Sequence, residues 1–220
     1  MQIVITILIL AVSYLIGSIP FGLIYVHFKT GQDVRQEESG RTGATNAMRA
    51  AGCLAGAATV VSDFLKSACA VWLARWLLPE ALWLHVLAPI AAVIGHNYSI
   101  FLVERDEKGR LRLRGGAGGA SAAGGAFGLW PPSLLFVLPV AIILFFVLGY
   151  ASVATMSVGL VSIIVLAYRA WTGAGPWEYV LYGVLVEVVL LWALRPNIKR
   201  LIAGNERRVG IFAKKQPRSE

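Results

Sequence analysis

Five polar clusters in this chain have residue types and spacings that suit chemistry. The first runs Gly31-Gln32-Asp33-Val34-Arg35, then Glu38-Ser39-Gly40-Arg41-Thr42-Gly43-Ala44-Thr45-Asn46 and on to Arg49. Small residues let a backbone lie close to a ligand, and glycine turns expose N–H groups that cradle an anion. Ser39, Thr45 and Asn46 add hydroxyl and amide partners, and Arg49 has the fork that binds phosphate bidentately. No standard P-loop lysine is present, so an ordinary interfacial loop is the alternative reading.

The second cluster is Asp63 with Lys66, three residues apart on one helix face and inside an apolar run, where an ion pair lessens the cost of burial. The third is Gly95-His96-Asn97-Tyr98; a lone histidine is as readily a hydrogen-bonded packing residue as a base. Next comes Arg114-Gly115-Gly116-Ala117-Gly118-Gly119-Ala120-Ser121, which suits close helix packing through small residues or an anionic head group at a helix amino end. Asn197, Lys199 and Arg200, followed by Gly204-Asn205-Glu206, form the last.

The elements that must position these residues are membrane helices. Of the 220 residues 57% are hydrophobic and only 15% charged, and the mean hydropathy is +0.69. A soluble domain carries about 25% charged residues, so a soluble enzyme is excluded, as are a disordered chain and a disulfide scaffold. Cys53 and Cys69 would stand about 24 Å apart on one helix and cannot bridge. No cysteine or histidine pair suggests a metal.

The net charge of +8 is not a nucleic-acid footprint, because 17 of the 20 Lys and Arg residues fall in three short segments, 29–49, 105–114 and 195–218. This positive-inside pattern puts all three on the cytoplasmic side, where they also meet anionic lipid.

Apolar runs are expected at Ile3 to Phe28, Cys53 to Leu78 (stopped by Pro79) and Trp83 to Val103. A short Gly/Ala segment, Gly115 to Leu129, precedes Trp130-Pro131-Pro132. Residues 133–168 are too long for one helix, with a turn expected at Gly149 to Ser152, and Tyr179 to Leu194 closes the series. The first run lacks the basic n-region of a signal peptide and is taken as a retained helix. The expectation is an all-α, polytopic membrane bundle of about seven segments, a single domain over residues 1–220, amino terminus outside and carboxyl terminus inside. Five crossings fit the charges equally well if the two shortest runs are re-entrant.

The order of motifs resembles one family from the first helix to the tail. It comprises Gly17-Ser18-Ile19-Pro20-Phe21-Gly22, Gly31-x-Asp33-x-Arg35, Ser39-Gly40-x-x-Gly43-Ala44-Thr45-Asn46-x-x-Arg49, Asp63-x-Leu65-Lys66, Gly95-His96, the Gly115 run and Asn197-Ile198-x-Arg200-Leu201. These are the bacterial membrane acyltransferases that use acyl-phosphate as donor and glycerol 3-phosphate as acceptor.

The resemblance implies a seven-helix protein of the bacterial inner membrane with a cytoplasmic active site. It would make 1-acyl-glycerol 3-phosphate and phosphate for phospholipid synthesis, without acyl-CoA, acyl carrier protein, metal or other cofactor. The enzyme that makes acyl-phosphate becomes a candidate partner. By position, Ser39 and Arg49 are implied in the reaction centre with Thr45 and Asn46. Gly43, Arg41, His96, Arg114, Gly115, Gly116, Gly118, Ser121, Asn197 and Arg200 are implied in substrate binding.

Three departures stand out. The family's glycine loop carries a phosphate-binding lysine where this chain has Ala117, its loop after Ser-Gly carries an asparagine where this chain has Arg41, and its tail commonly has a histidine where this chain has Leu194. Arg41 and Arg114 are the cations available to replace that lysine. A relative acylating another polyol phosphate, and a non-catalytic binding or transport protein on the same scaffold, are the rival readings.

Overall fold

The computed structural model describes residues 1–37, 39–106 and 108–209. Glu38 of the first cluster and the basic residues of 210–220 lie outside them.

The first apolar run is broken. Pro20 lacks an N–H and pushes Ile19 into extended backbone, so α1 (Gln2–Ser18) ends there and α2 (Phe21–Thr30) starts anew. The short α3 (Ala44–Ala51) follows the polar loop, and α4 (Cys53–Leu77) ends before Pro79 as the sequence suggests. Cys53 and Cys69, both on α4, are free and exposed.

The third run is not one helix. Helix α5 (Leu82–Asn97) stops at Tyr98, and the chain turns into β1 (Ser99–Arg105), paired antiparallel with β2 (Leu111–Arg114). The β-branched and aromatic residues Ile100, Phe101 and Val103 favour the pleated surface, and Val103 faces Leu113 across the ladder. The segment between α5 and the glycine run is therefore a hairpin added to an otherwise helical bundle. Asp106 accepts from the amides of Lys108 and Arg110 in its turn.

Helix α6 (Gly119–Leu129) is capped by the left-handed Gly118 and ends before Trp130-Pro131-Pro132. Helices α7 (Leu134–Leu148) and α8 (Ala151–Trp171) are divided by left-handed Gly149, in the expected turn. Helix α9 (Glu178–Ile202) runs past the last apolar run, through Pro196.

Among the described residues, five stretches are long and apolar enough to cross a membrane: Gln2–Thr30, Cys53–Leu77, Pro131–Leu148, Ala151–Trp171 and Glu178–Ile202. Helix α5, with 16 residues, reaches about 24 Å at ~1.5 Å per residue. Helix α6, with 11, reaches about 17 Å, roughly half of a ~30 Å hydrocarbon core. Among the described residues the bundle thus has five long apolar spans, the shorter apolar helix α5 and the short Gly/Ala helix α6.

Small residues bring the helices together, as lipid-embedded packing requires. A Cβ on Gly17 would overlap the Ala92 carbonyl of α5, and one on Gly124 would overlap the Phe64 carbonyl of α4. Helix α6 is enclosed by α4, α5, α8 and α9, and around it lies the main core, with Val71, Val93, Ala122, Val158, Tyr182 and Leu190. Large apolar residues such as Ile7, Phe146, Ile164 and Val188 face outward, where lipid replaces water.

Candidate active site

The loop between α2 and α3 is held in shape before any ligand arrives. Asn46 is buried, and its amide nitrogen donates to the carbonyls of Val34, Glu37 and Arg41 at 2.9–3.0 Å. Asp33 accepts from the Arg35 side chain at 2.6 Å, and Arg35 also reaches Glu104 of β1 at 2.8 Å. The Arg35 guanidinium holds the Asp33 carboxyl below the usual carboxylate range. Glu104 then receives Arg114 at 2.9 Å, so the hairpin braces the loop.

Ser39 and Arg49 are exposed at the mouth of a cavity of about 780 Å³, within the ~300–1,000 Å³ usual for ligand sites. One end is polar. The loop and α3 contribute Ser39, Arg41, Gly43, Thr45, Asn46 and Arg49; α9 and the tail contribute Asn197, Arg200, Glu206 and Arg207. A Cβ on Gly43 would meet nothing, which leaves the backbone open to the cavity. The other end is apolar, walled by Phe64, Leu138, Ile142, Phe145 and Val158 of α4, α7 and α8.

Helix α9 carries Pro196 among its polar residues. Proline gives the Trp192 carbonyl no N–H, and Arg195 donates to it instead. The neighbouring Ala193 carbonyl accepts from Arg41 Nη2 at 2.9 Å. Ala193, Asn197 and Arg200 stand on one face, so Arg41 is drawn beside the other two. Burial and the nearby Arg200 charge lower the Arg41 pKa, with Glu206 opposing them. Glu206 accepts from Asn197 Nδ2 at 2.7 Å, Arg200 Nε at 2.8 Å and Ser152 at 3.2 Å.

Asp63 and Lys66, one cluster in the sequence, meet His96 of another in the structure. Lys66 lies 2.8 Å from the Asp63 carboxylate, and His96 Nδ1 lies 3.4 Å from it. Lys66 also donates to the Gly17 carbonyl at 3.0 Å. Asp63 and His96 line the cavity; Lys66 stands behind them.

Of the residues implied in binding, four lie off the cavity. Arg114 pairs with the half-buried Glu104, its Nε 2.9 Å from the carboxylate. Gly115 and Gly116 serve close packing: a Cβ on either would overlap the His96 carbonyl or ring, respectively. Ser121 is buried and donates to the Asp63 carbonyl at 2.9 Å. Gly118 does line the cavity, as do Ala117 and Leu194 at two of the departures. The apolar wall and Thr155 and Ser152 of α8 were not legible as site residues, although Ser152 and Thr155 share a helix face; Glu206, part of the last polar cluster but not among the implied binding residues, also lines the cavity.

A half-polar, half-apolar cavity in a membrane bundle, with several guanidinium groups at its polar end, defines a membrane-embedded site for an anionic amphiphile. The comparisons make this specific. A family model described as glycerol-3-phosphate acyltransferase matches residues 7–204, and the chain belongs to that family. A glycerol-3-phosphate acyltransferase of Myxococcus xanthus is 37% identical, over 89% of this chain and 95% of its own. One of Dehalococcoides mccartyi is 36% identical, over 92% and 94%. The crystal structure of PlsY, an integral membrane glycerol 3-phosphate acyltransferase in its glycerol 3-phosphate form, superposes with a TM-score of 0.80 at 29% identity, covering 93% of this chain and 96% of that one. Its lysophosphatidic acid form gives 0.78 at 28% identity, covering 94% of this chain and 97% of that one.

Proposed function

We propose that this protein transfers an acyl chain from acyl-phosphate to glycerol 3-phosphate, giving 1-acyl-glycerol 3-phosphate and phosphate in phospholipid synthesis. The carrying observation is the cavity, whose apolar end suits an acyl chain and whose polar end suits phosphate.

The acceptor hydroxyl oxygen attacks the acyl carbonyl carbon, the bond from that carbon to the phosphate oxygen breaks, and the hydroxyl proton leaves on the departing phosphate. Acyl-phosphate is already activated, so the chain's residues need only position the reactants and stabilise charge. Ser39 and Arg49 hold the reacting carbonyl and the donor phosphate, with Thr45 beside them, while Asn46 fixes the loop that carries them. Asn197 faces the acceptor.

The three basic segments support a cytoplasmic mouth, with the amino terminus outside and the carboxyl terminus inside the bacterial plasma membrane. A lipid mixed anhydride must be formed close to this mouth, so the enzyme that makes acyl-phosphate is the partner proposed. A transport path asks for polar lining throughout, whereas the apolar core stands between this end and the distant Arg75–Tyr179–His85 cluster.

The test is acyl transfer by the purified full-length protein from palmitoyl-phosphate to labelled glycerol 3-phosphate. Wild type forms lysophosphatidate, and Ser39→Ala lowers kcat by roughly 10²–10³-fold, the loss expected for one stabilising donor. A folded wild type that forms no product sinks the reading, and transfer from acyl-CoA alone sinks the donor assignment.

A further inference from the structure

We propose that the outer groove between α5 and α9 binds one anionic phospholipid, with its headgroup on Arg195 and an acyl chain along the groove. The groove shares none of its lining residues with the transfer cavity, so the assignment stands apart from the acyltransferase reading.

Helices α5 and α9 pack side by side, and a second cavity of about 620 Å³ lies between their carboxyl ends. Ile94 and Tyr98 at the end of α5 face Val188, Leu191, Trp192 and Arg195 of α9. Spacings of three and four put those last residues on one helix face. The opposite face of α9, with Val186, Leu190 and Leu194, is buried in the bundle. Ile94, Val188, Leu191 and Trp192 are exposed on the outside, where lipid tails take the place of water. From Val188 to Arg195 the helix rises about 10 Å at ~1.5 Å per residue. That is about two-thirds of the ~15 Å of hydrocarbon in one leaflet, so the groove holds the upper part of one acyl chain.

The headgroup end is polar. Arg195 and Tyr98 close the groove at the end of the bundle that carries the basic segments. The guanidinium is fixed in place: Nη1 donates to the Trp192 carbonyl at 2.9 Å, and Cζ lies 4.3 Å from the Trp192 ring centroid. A guanidinium has five N–H donors, and the Trp192 carbonyl takes one. Among the described residues no carboxylate pairs with Arg195, whereas Arg35, Arg110, Arg114 and Arg200 each have one.

An exposed, positioned cation above an apolar slot, with a tryptophan at its lip, complements a lipid phosphate and the chain below it. A zwitterionic headgroup carries its own cation beside the phosphate and loses much of that attraction. A twofold contact through the groove would bring two unpaired guanidinium groups into one apolar interface, which disfavours a second copy of the chain as the occupant.

The experiment is native mass spectrometry of the full-length protein, released from detergent micelles that carry phosphatidylglycerol or phosphatidylcholine with matched acyl chains. Wild type retains one phosphatidylglycerol with about fivefold preference, the gain expected from one cation at a lipid surface. Arg195→Gln brings the preference within about twofold of none, and Arg195→Lys keeps part of it. Val188→Trp fills the slot and lowers retention of both lipids. Arg110→Gln, which removes a hairpin cation paired with Asp106, leaves the preference unchanged.

Equal retention of the two lipids by wild type, or a preference that survives Arg195→Gln, overturns the site and leaves a general lipid annulus. A wild-type dimer in lipid-free micelles that Val188→Trp splits makes a second copy the occupant and overturns it as well. If Arg195→Gln does not fold, Trp192→Leu decides. It takes away the ring that holds the guanidinium, and a preference that stays at its wild-type value in that variant overturns the site.

Discussion

Two charged clusters border the same cavity, and they are built on opposite principles. Asp63, Lys66 and His96 are almost wholly enclosed; the lysine charge is matched by the carboxylate, and its remaining reach goes to the Gly17 carbonyl and the Phe21 ring. Arg41, Arg200 and Glu206 leave one positive charge over. A membrane bundle tolerates buried charge cheaply only where it is paired. The closed cluster therefore reads as a tie between α4, α5 and the α1–α2 break, and the open one as a place for a ligand.

The largest expected effect lies in the closed cluster. Lys66→Met leaves Asp63 with its carboxylate enclosed and its principal counter-charge gone, which costs about 3–5 kcal/mol. The melting temperature of the purified protein should drop sharply. Asp63→Leu combined with Lys66→Met should recover most of that loss, since apolar replacements of a buried pair are often close to neutral. A double variant no more stable than Lys66→Met would show that the pair does more than hold helices together.

A smaller effect tests how tightly the glycine stretch locks that cluster. In Gly116→Ala the new methyl overlaps the His96 ring, which is itself held by Asp63, so the ring or the backbone must shift. Overpacking of this kind costs about 1–3 kcal/mol. Melting temperature again reports it, and a variant as stable as wild type would mean that residues 115–117 yield easily and the close packing is incidental.

The two clusters also differ in how far they were legible in the sequence. Asp63 and Lys66 announce themselves by charge within an apolar run, and three-residue spacing on a helix gives their contact directly. His96 joining them does not follow from spacing, because it depends on how α5 crosses α4. The span count was obscured for a related reason. Hydropathy runs smoothly through Tyr98, although the backbone changes there from helix to strand, and the continuous run to Phe28 hides the break that Pro20 imposes. Arg41 and Arg114 look like equivalent replacements for a missing cation. Only the fold separates them, through Glu104, which takes Arg114, and the Pro196 region of α9, whose Ala193 carbonyl takes Arg41. The resemblance carried the family and the loop motifs; the apolar wall of α7 has no motif, because any large apolar side chain can line an acyl path.

The partly exposed bridge from Arg35 through Glu104 to Arg114 ties the hairpin to the loop between α2 and α3. Its side chains are roughly one-third to one-half exposed, so each pair contributes at most about 1 kcal/mol after solvent screening. Glu104→Gln should shift the melting temperature only slightly, and less in high salt. Its use lies in the pH behaviour of the same loop. Arg35 hydrogen bonds hold the Asp33 carboxyl below the usual carboxylate range. A depressed carboxyl contributes stability above its unfolded pKa of about 3.9, and that contribution is lost only as pH falls through the lower folded value. Between about pH 5 and 8 Asp33 therefore stays ionised and its contribution to the loop is constant. The pH–rate profiles of wild type and Asp33→Asn should run parallel across that window, offset by a small constant. Profiles that diverge would place a titrating group in the loop, and the contrast between a closed, structural charge cluster and an open, ligand-seeking one would have to be redrawn around it.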